Sequence, residues 1–121
     1  MALNSVGIDA IEIARIRTAL ERHPERFLRR VYTPAEAAYC RGRVPELAAR
    51  FAAKEAISKA LGTGLRGIVW REMEILPDRR GKPLVYLHGR ARRRAEELGL
   101  THFAVSLTHA RELALAFVVA S

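Results

Sequence analysis

A single cysteine, Cys40, excludes an internal disulfide and any cysteine-based zinc site within one chain, and fits a reducing compartment. Aromatic residues are sparse, one Trp, three Tyr and four Phe, so a base-stacking surface has little to be built from. No apolar run is long enough to span a bilayer, and residues 1–8 lack the basic flank and apolar stretch of a signal peptide. The expected location is therefore cytoplasmic. Acidic residues are also in the minority: 13 Asp and Glu stand against 21 Lys and Arg, a formal net charge of +8. An anionic partner follows, whether nucleic acid, a phosphorylated cofactor, an acidic protein or an anionic membrane surface.

What is present is the composition of a folded protein, 50% hydrophobic and 28% charged, in 121 residues that fit one domain over 1–121. Val6-Gly7-Ile8-Asp9 alternates as a short strand does, and Ile13, Ile16 and Leu20 then recur at helical spacing until His23-Pro24 breaks the pattern. Thr33-Pro34-Ala35-Glu36 has the cap, proline and glutamate of a helix start, with the helix ending near Arg41-Gly42. An alanine-rich helix follows over 45–61, with Ala49, Ala53, Ala56 and Ala60 within an arc of roughly 60°. Residues 68–76 and 83–87 read as strands around the turn Asp78-Arg79-Arg80-Gly81. A basic helix over 90–98 and strands over 103–107 and 113–119 complete the chain. Without regular βαβ alternation, the expected class is α+β: a small, mostly antiparallel sheet packed with a long central helix and shorter helices.

Several residues admit two readings. Glu55 and Lys59 are neighbours on one helical face, either as an exposed ion pair or as a metal-binding carboxylate beside a phosphate-neutralising ammonium. Asp9 is either a helix cap whose box is completed by Glu12, or a second carboxylate for a Mg²⁺ ion shared with Glu55. Gly62-Thr63-Gly64 follows its helix, so it reads as a C-cap and not as a phosphate loop. Ser106 and His109 lack a nucleophile elbow and a partner carboxylate, which counts against a serine hydrolase. Arg90, Arg92, Arg93 and Arg94 read as a solvated helical face. Arg15 and Arg22 share a face of the first helix and could receive an acidic partner helix.

Two ordered segments carry a resemblance. Gly7-Ile8-Asp9-Ala10-Ile11-Glu12-Ile13-Ala14-Arg15-Ile16 and Arg50-Phe51-Ala52-Ala53-Lys54-Glu55-Ala56, the latter continued by Lys59-Ala60-Leu61-Gly62-Thr63-Gly64, resemble the holo-(acyl-carrier-protein) synthase family of phosphopantetheinyl transferases. Weaker matches lie, in order, at Thr33-Pro34-Ala35-Glu36, Gly81-Lys82-Pro83 and Val105-Ser106-Leu107-Thr108-His109. The resemblance implies a 4'-phosphopantetheinyl transferase-like fold and transfer of the phosphopantetheine arm of coenzyme A to a serine of an acidic acyl carrier protein, in support of fatty acid biosynthesis. It implies Asp9 and Glu55 as Mg²⁺ ligands and Lys59 on the coenzyme A phosphates. Arg50 and His109 would hold the nucleotide end, with Glu55 first and His109 second as proton acceptor. Arg15 would engage the carrier, with Arg22 its neighbour by spacing, and a homotrimer would place active sites between subunits. Ala10 and Thr108 depart from the commoner Ile and Ser, and neither change removes a charge. A small nucleic-acid-binding module is the rival class; its basic residues would be gathered in one motif, and here they are scattered. Neither nucleic acid nor membrane is expected as a partner.

Overall fold

The computed structural model describes residues 4–121; the start of the stretch read for a targeting signal, residues 1–3, lies outside the described residues. The opening strand runs further than its alternation predicts. β1 spans Ser5–Glu12, and α1, Ile13–Arg22, begins only after it. Pairing is the cause: β1 is matched residue by residue, antiparallel, with β5 (Leu113–Ala120), from Ser5 opposite Ala120 to Glu12 opposite Leu113. The cap of α1 is Glu12, and its side chain makes no capping bond. Asp9 is thus a mid-strand residue, and its reading as a helix cap is corrected.

The break at His23-Pro24 leads into a helix the periodicity did not reveal, α2 (Pro24–Val31), with proline in its first turn and Val31 buried. α3 (Pro34–Cys40) starts as expected: the Thr33 hydroxyl accepts the Glu36 N–H at 3.2 Å, and Glu36 Oε1 accepts the Thr33 N–H at 2.9 Å. Cys40 is fully buried, and burial above all pushes its thiol pKa up to about 11. It is chemically quiet at neutral pH.

α4 (Val44–Ala60) is the centre of the molecule, packed on β1 and β5. Ala49, Ala53, Ala56 and Ala60 are all buried, and they meet a sheet that is equally small-sided, with Ala114, Ala116 and Ala120 buried on β5. Small residues on both surfaces let helix and sheet approach closely. Gly62, at φ 75°, takes the left-handed turn after α4, and the Thr63 and Gly64 N–H groups donate to the Ser58 carbonyl, so the glycine segment is the C-cap it was read to be.

The strand expected over 68–76 is shorter. Trp70–Glu72 forms a 3-10 turn, because the Glu72 carboxylate accepts the Val69 N–H at 2.8 Å and curls the chain; β2 covers only Met73–Pro77. β2 pairs antiparallel with β3 (Pro83–Leu87). Next come α5 (Gly89–Glu97) and β4 (Phe103–His109), which pairs with β5. The one small sheet of the expectation is therefore two antiparallel sheets, of strand order β1-β5-β4 and β2-β3.

A buried ion pair locks α3, α4 and β2 together. Lys54 Nζ donates to Glu36 Oε1 at 2.7 Å, to the Met73 carbonyl at 2.7 Å and to the Trp70 carbonyl at 3.1 Å. Burial pulls the lysine pKa down and Glu36 opposes that pull. Three acceptors around one nitrogen require three N–H donors, which only the ammonium supplies. The other Glu36 oxygen accepts the Ile75 N–H at 2.8 Å.

Candidate active site

The close contact between β1 and the last turns of α4 builds the site. Gly7 makes it possible: a Cβ there would lie 1.8 Å from the Ala56 carbonyl oxygen. Ser5 Oγ donates to the Ala60 carbonyl at 2.6 Å. Alternation along β1 puts Asp9 on the same face as Gly7, toward α4. There Lys59 Nζ donates to the Ile8 carbonyl at 2.9 Å and to Asp9 Oδ1 at 3.1 Å. The helical pair read from spacing, Glu55 with Lys59, does not close among the described residues; Lys59 reaches across to the strand.

Burial, and then the negative charge of Asp9, raise the Glu55 pKa, while Lys59 opposes the rise. Two mutually repelling carboxylates stand beside one ammonium, which pairs with Asp9 alone, so the cluster carries a net negative charge. A hard divalent cation fits this donor set, since Mg²⁺ is commonly held by one or two carboxylates with water and substrate oxygens completing its shell. The described residues hold no group of three or more potential ligands, so substrate or water would supply the rest.

Arg50 and His109 stand elsewhere. Arg50 is buried, its Nε donating to the Ile75 carbonyl at 3.1 Å and its Nη1 to Glu46 Oε2 at 3.1 Å, with the guanidinium over the Tyr39 ring. His109, expected in a turn, is the last residue of β4; its Nε2 lies 3.7 Å from Glu46 Oε1. A cleft of about 370 Å³ lies between them, lined also by Tyr39, Gly81 and Thr108. Glu46 is in the first turn of α4 and Lys59 in the last, about 20 Å apart at 1.5 Å per residue. One chain therefore carries two separate clusters.

Arg15 and Arg22 are exposed on α1. Sequence reading missed a stronger basic feature nearby. Arg26, Arg29 and Arg30 of α2 converge with Arg71 of the 3-10 turn around a cleft of about 480 Å³. None of the four is paired with a carboxylate among the described residues. The signal was the 3-4 spacing within Arg26-Phe27-Leu28-Arg29-Arg30, but it has meaning only on a helix that was not anticipated. By contrast, Arg90, Arg92 and Arg94 of α5 are locally engaged. Arg92 lies 3.6 Å from Glu96, and Arg94 Nε donates to the Leu61 carbonyl at 3.1 Å.

Similarity to known proteins places the chain in a family. The family profile of the 4'-phosphopantetheinyl transferase superfamily matches residues 5–118, and the chain belongs to that superfamily. A holo-(acyl-carrier-protein) synthase of Herpetosiphon aurantiacus is 53% identical over 120 residues, covering 93% of this chain and 94% of the relative. The crystal structure of the Helicobacter pylori holo-(acyl-carrier-protein) synthase in complex with coenzyme A superimposes with a TM-score of 0.88 at 31% identity, over 96% of this chain and 99% of that one. The Neisseria meningitidis holo-(acyl-carrier-protein) synthase gives a TM-score of 0.87 at 36% identity, over 97% of each chain.

Proposed function

We propose that this chain, acting as one domain over 1–121, is a holo-(acyl-carrier-protein) synthase of the cytoplasm that transfers 4'-phosphopantetheine from coenzyme A to a serine of an apo acyl carrier protein, with Mg²⁺, in support of fatty acid biosynthesis. The observation that carries this reading is the meeting of Asp9, Glu55 and Lys59 where β1 touches α4. Asp9 and Glu55 would hold the Mg²⁺ ion, which when bound neutralises charge on the pyrophosphate. In the reaction the serine oxygen bonds to the β-phosphorus, the bond from that phosphorus to the bridging oxygen breaks, and adenosine 3',5'-bisphosphate departs. Lys59 offsets the charge that develops on the leaving group. Glu55, at the point where β1 meets α4, is placed to take the serine proton. His109, at the other end of α4 with Arg50, instead serves the nucleotide end of coenzyme A.

Glu55→Gln is expected to lower turnover by at least about 100-fold with Mg²⁺ saturating. Its effect on stability has the opposite sign. A carboxylate whose folded pKa is raised opposes folding when ionised, and that opposition fades as pH falls through the folded pKa. The ligand-free variant should therefore melt above the parent at neutral pH, with the gap closing in acid. Near-normal turnover would refute both the metal and the base role of Glu55.

The homotrimer is supported by the outer face of the β1-β5-β4 sheet, where Val6 and Ile8 are 59% and 58% exposed and Phe117, opposite Ile8, is 46% exposed. Apolar surface of this kind marks an interface. Light scattering that found an active monomer would contradict the assembly.

Carrier recognition by Arg15 and Arg22 extends in this reading to the four-arginine cleft, whose uncompensated charge calls for an acidic surface. Replacing Arg29 and Arg71 together by Glu should raise KM for the carrier by about 10-fold or more, more so at low salt. KM for coenzyme A should stay within about twofold.

A further inference from the structure

Lys59 stands in a position that a phosphate-binding lysine does not need. Its side chain is 53% exposed, yet the ammonium is folded back onto the Ile8 carbonyl and Asp9 Oδ1. It thereby neutralises the carboxylate assigned to the metal. Glu55, one helical turn earlier on α4, is left without an ion-pair partner within 4 Å among the described residues.

We infer that Lys59 is an internal counter-ion that competes with the divalent cation for Asp9 and yields the site only when coenzyme A phosphates give its ammonium another partner. This rests on the assignment of Asp9 and Glu55 as metal ligands. The argument is electrostatic. An ammonium already 3.1 Å from Asp9 repels a dication approaching the same carboxylate, so the two cations cannot share it without loss. A phosphate anion relieves that conflict by drawing Lys59 off Asp9. Cation and coenzyme A then bind with positive coupling, and the ligand-free protein takes up divalent metal poorly. Until the substrate arrives, Lys59 holds Asp9 in place and offsets part of the repulsion between the two carboxylates across the β1–α4 contact.

The test is direct Mn²⁺ binding to ligand-free protein, followed by the loss of the free-ion paramagnetic signal. Lys59→Gln should bind Mn²⁺ more tightly than the parent, by a factor within the roughly 5–150-fold range of ordinary site coupling. Lys59→Arg, which retains the charge, should bind as the parent does. If Lys59→Gln binds equally or more weakly, or if neither protein binds at all, the competition does not exist. Asp9→Asn separates this outcome from failure of the underlying site: in the Lys59→Gln background it should abolish the tight binding, and unchanged Mn²⁺ affinity there would overturn the metal-ligand assignment itself.

Discussion

Gly7→Ala is expected to cost about 3 kcal/mol of stability or more and to remove most activity from whatever protein still folds. A single methyl group does this because of where it points. The new Cβ would lie 1.8 Å from the Ala56 carbonyl oxygen and 2.7 Å from its carbon, and a main-chain obstacle cannot rotate aside as a side chain can. Relief requires β1 to lift from α4, opening the packing of Ala53, Ala56 and Ala60. The same movement carries Asp9 away from Glu55 and Lys59. Urea denaturation followed by circular dichroism measures the first effect. Turnover measured where the variant is still folded measures the second. Parent-like stability would mean that the close approach is not a constraint.

Lys54→Met should cost about 3–5 kcal/mol. The methionine fills similar space but leaves the Glu36 carboxylate buried without its counter-charge, and the Trp70 and Met73 carbonyls without a donor. Much of the loss should return in the double variant Lys54→Met, Glu36→Gln, because a neutral amide can still accept from Ile75 N–H without a stranded charge. The position is next to Glu55 in sequence, but its side chain points the other way, toward α3 and β2. An effect on activity with stability intact would contradict this division of labour.

Local chemistry in the sequence was read correctly where one segment suffices to decide. The Thr33–Glu36 box, the glycine C-cap after α4 and the alanine stripe each depend on residues within a turn or two of each other. Asp9 was different. Its identity is compatible with a cap or with a strand, and the choice is made by pairing with β5, more than 100 residues away. α2 went unanticipated because its apolar side, Phe27, Leu28 and Val31, spans little more than one turn of an eight-residue helix directly after the His23-Pro24 break, and Arg71 gains its meaning only when the 3-10 turn brings it to that helix. The trio Asp9, Glu55 and Lys59 was named through a family resemblance; spacing alone offered an ordinary Glu–Lys pair, and the structure spends that lysine on Asp9 instead. Lys54 and Glu36 carried no signal of their partnership, since nothing local distinguishes a buried charge from a solvated one.

Intact-mass spectrometry of an apo acyl carrier protein, incubated with this chain, coenzyme A and Mg²⁺, is the decisive measurement. The expected result is a gain of one phosphopantetheine group on the carrier, lost when Glu55 is replaced by Gln. An unmodified carrier, alongside tight and salt-sensitive binding of the chain to an oligonucleotide, would contradict the transferase reading and return the +8 charge to nucleic acid.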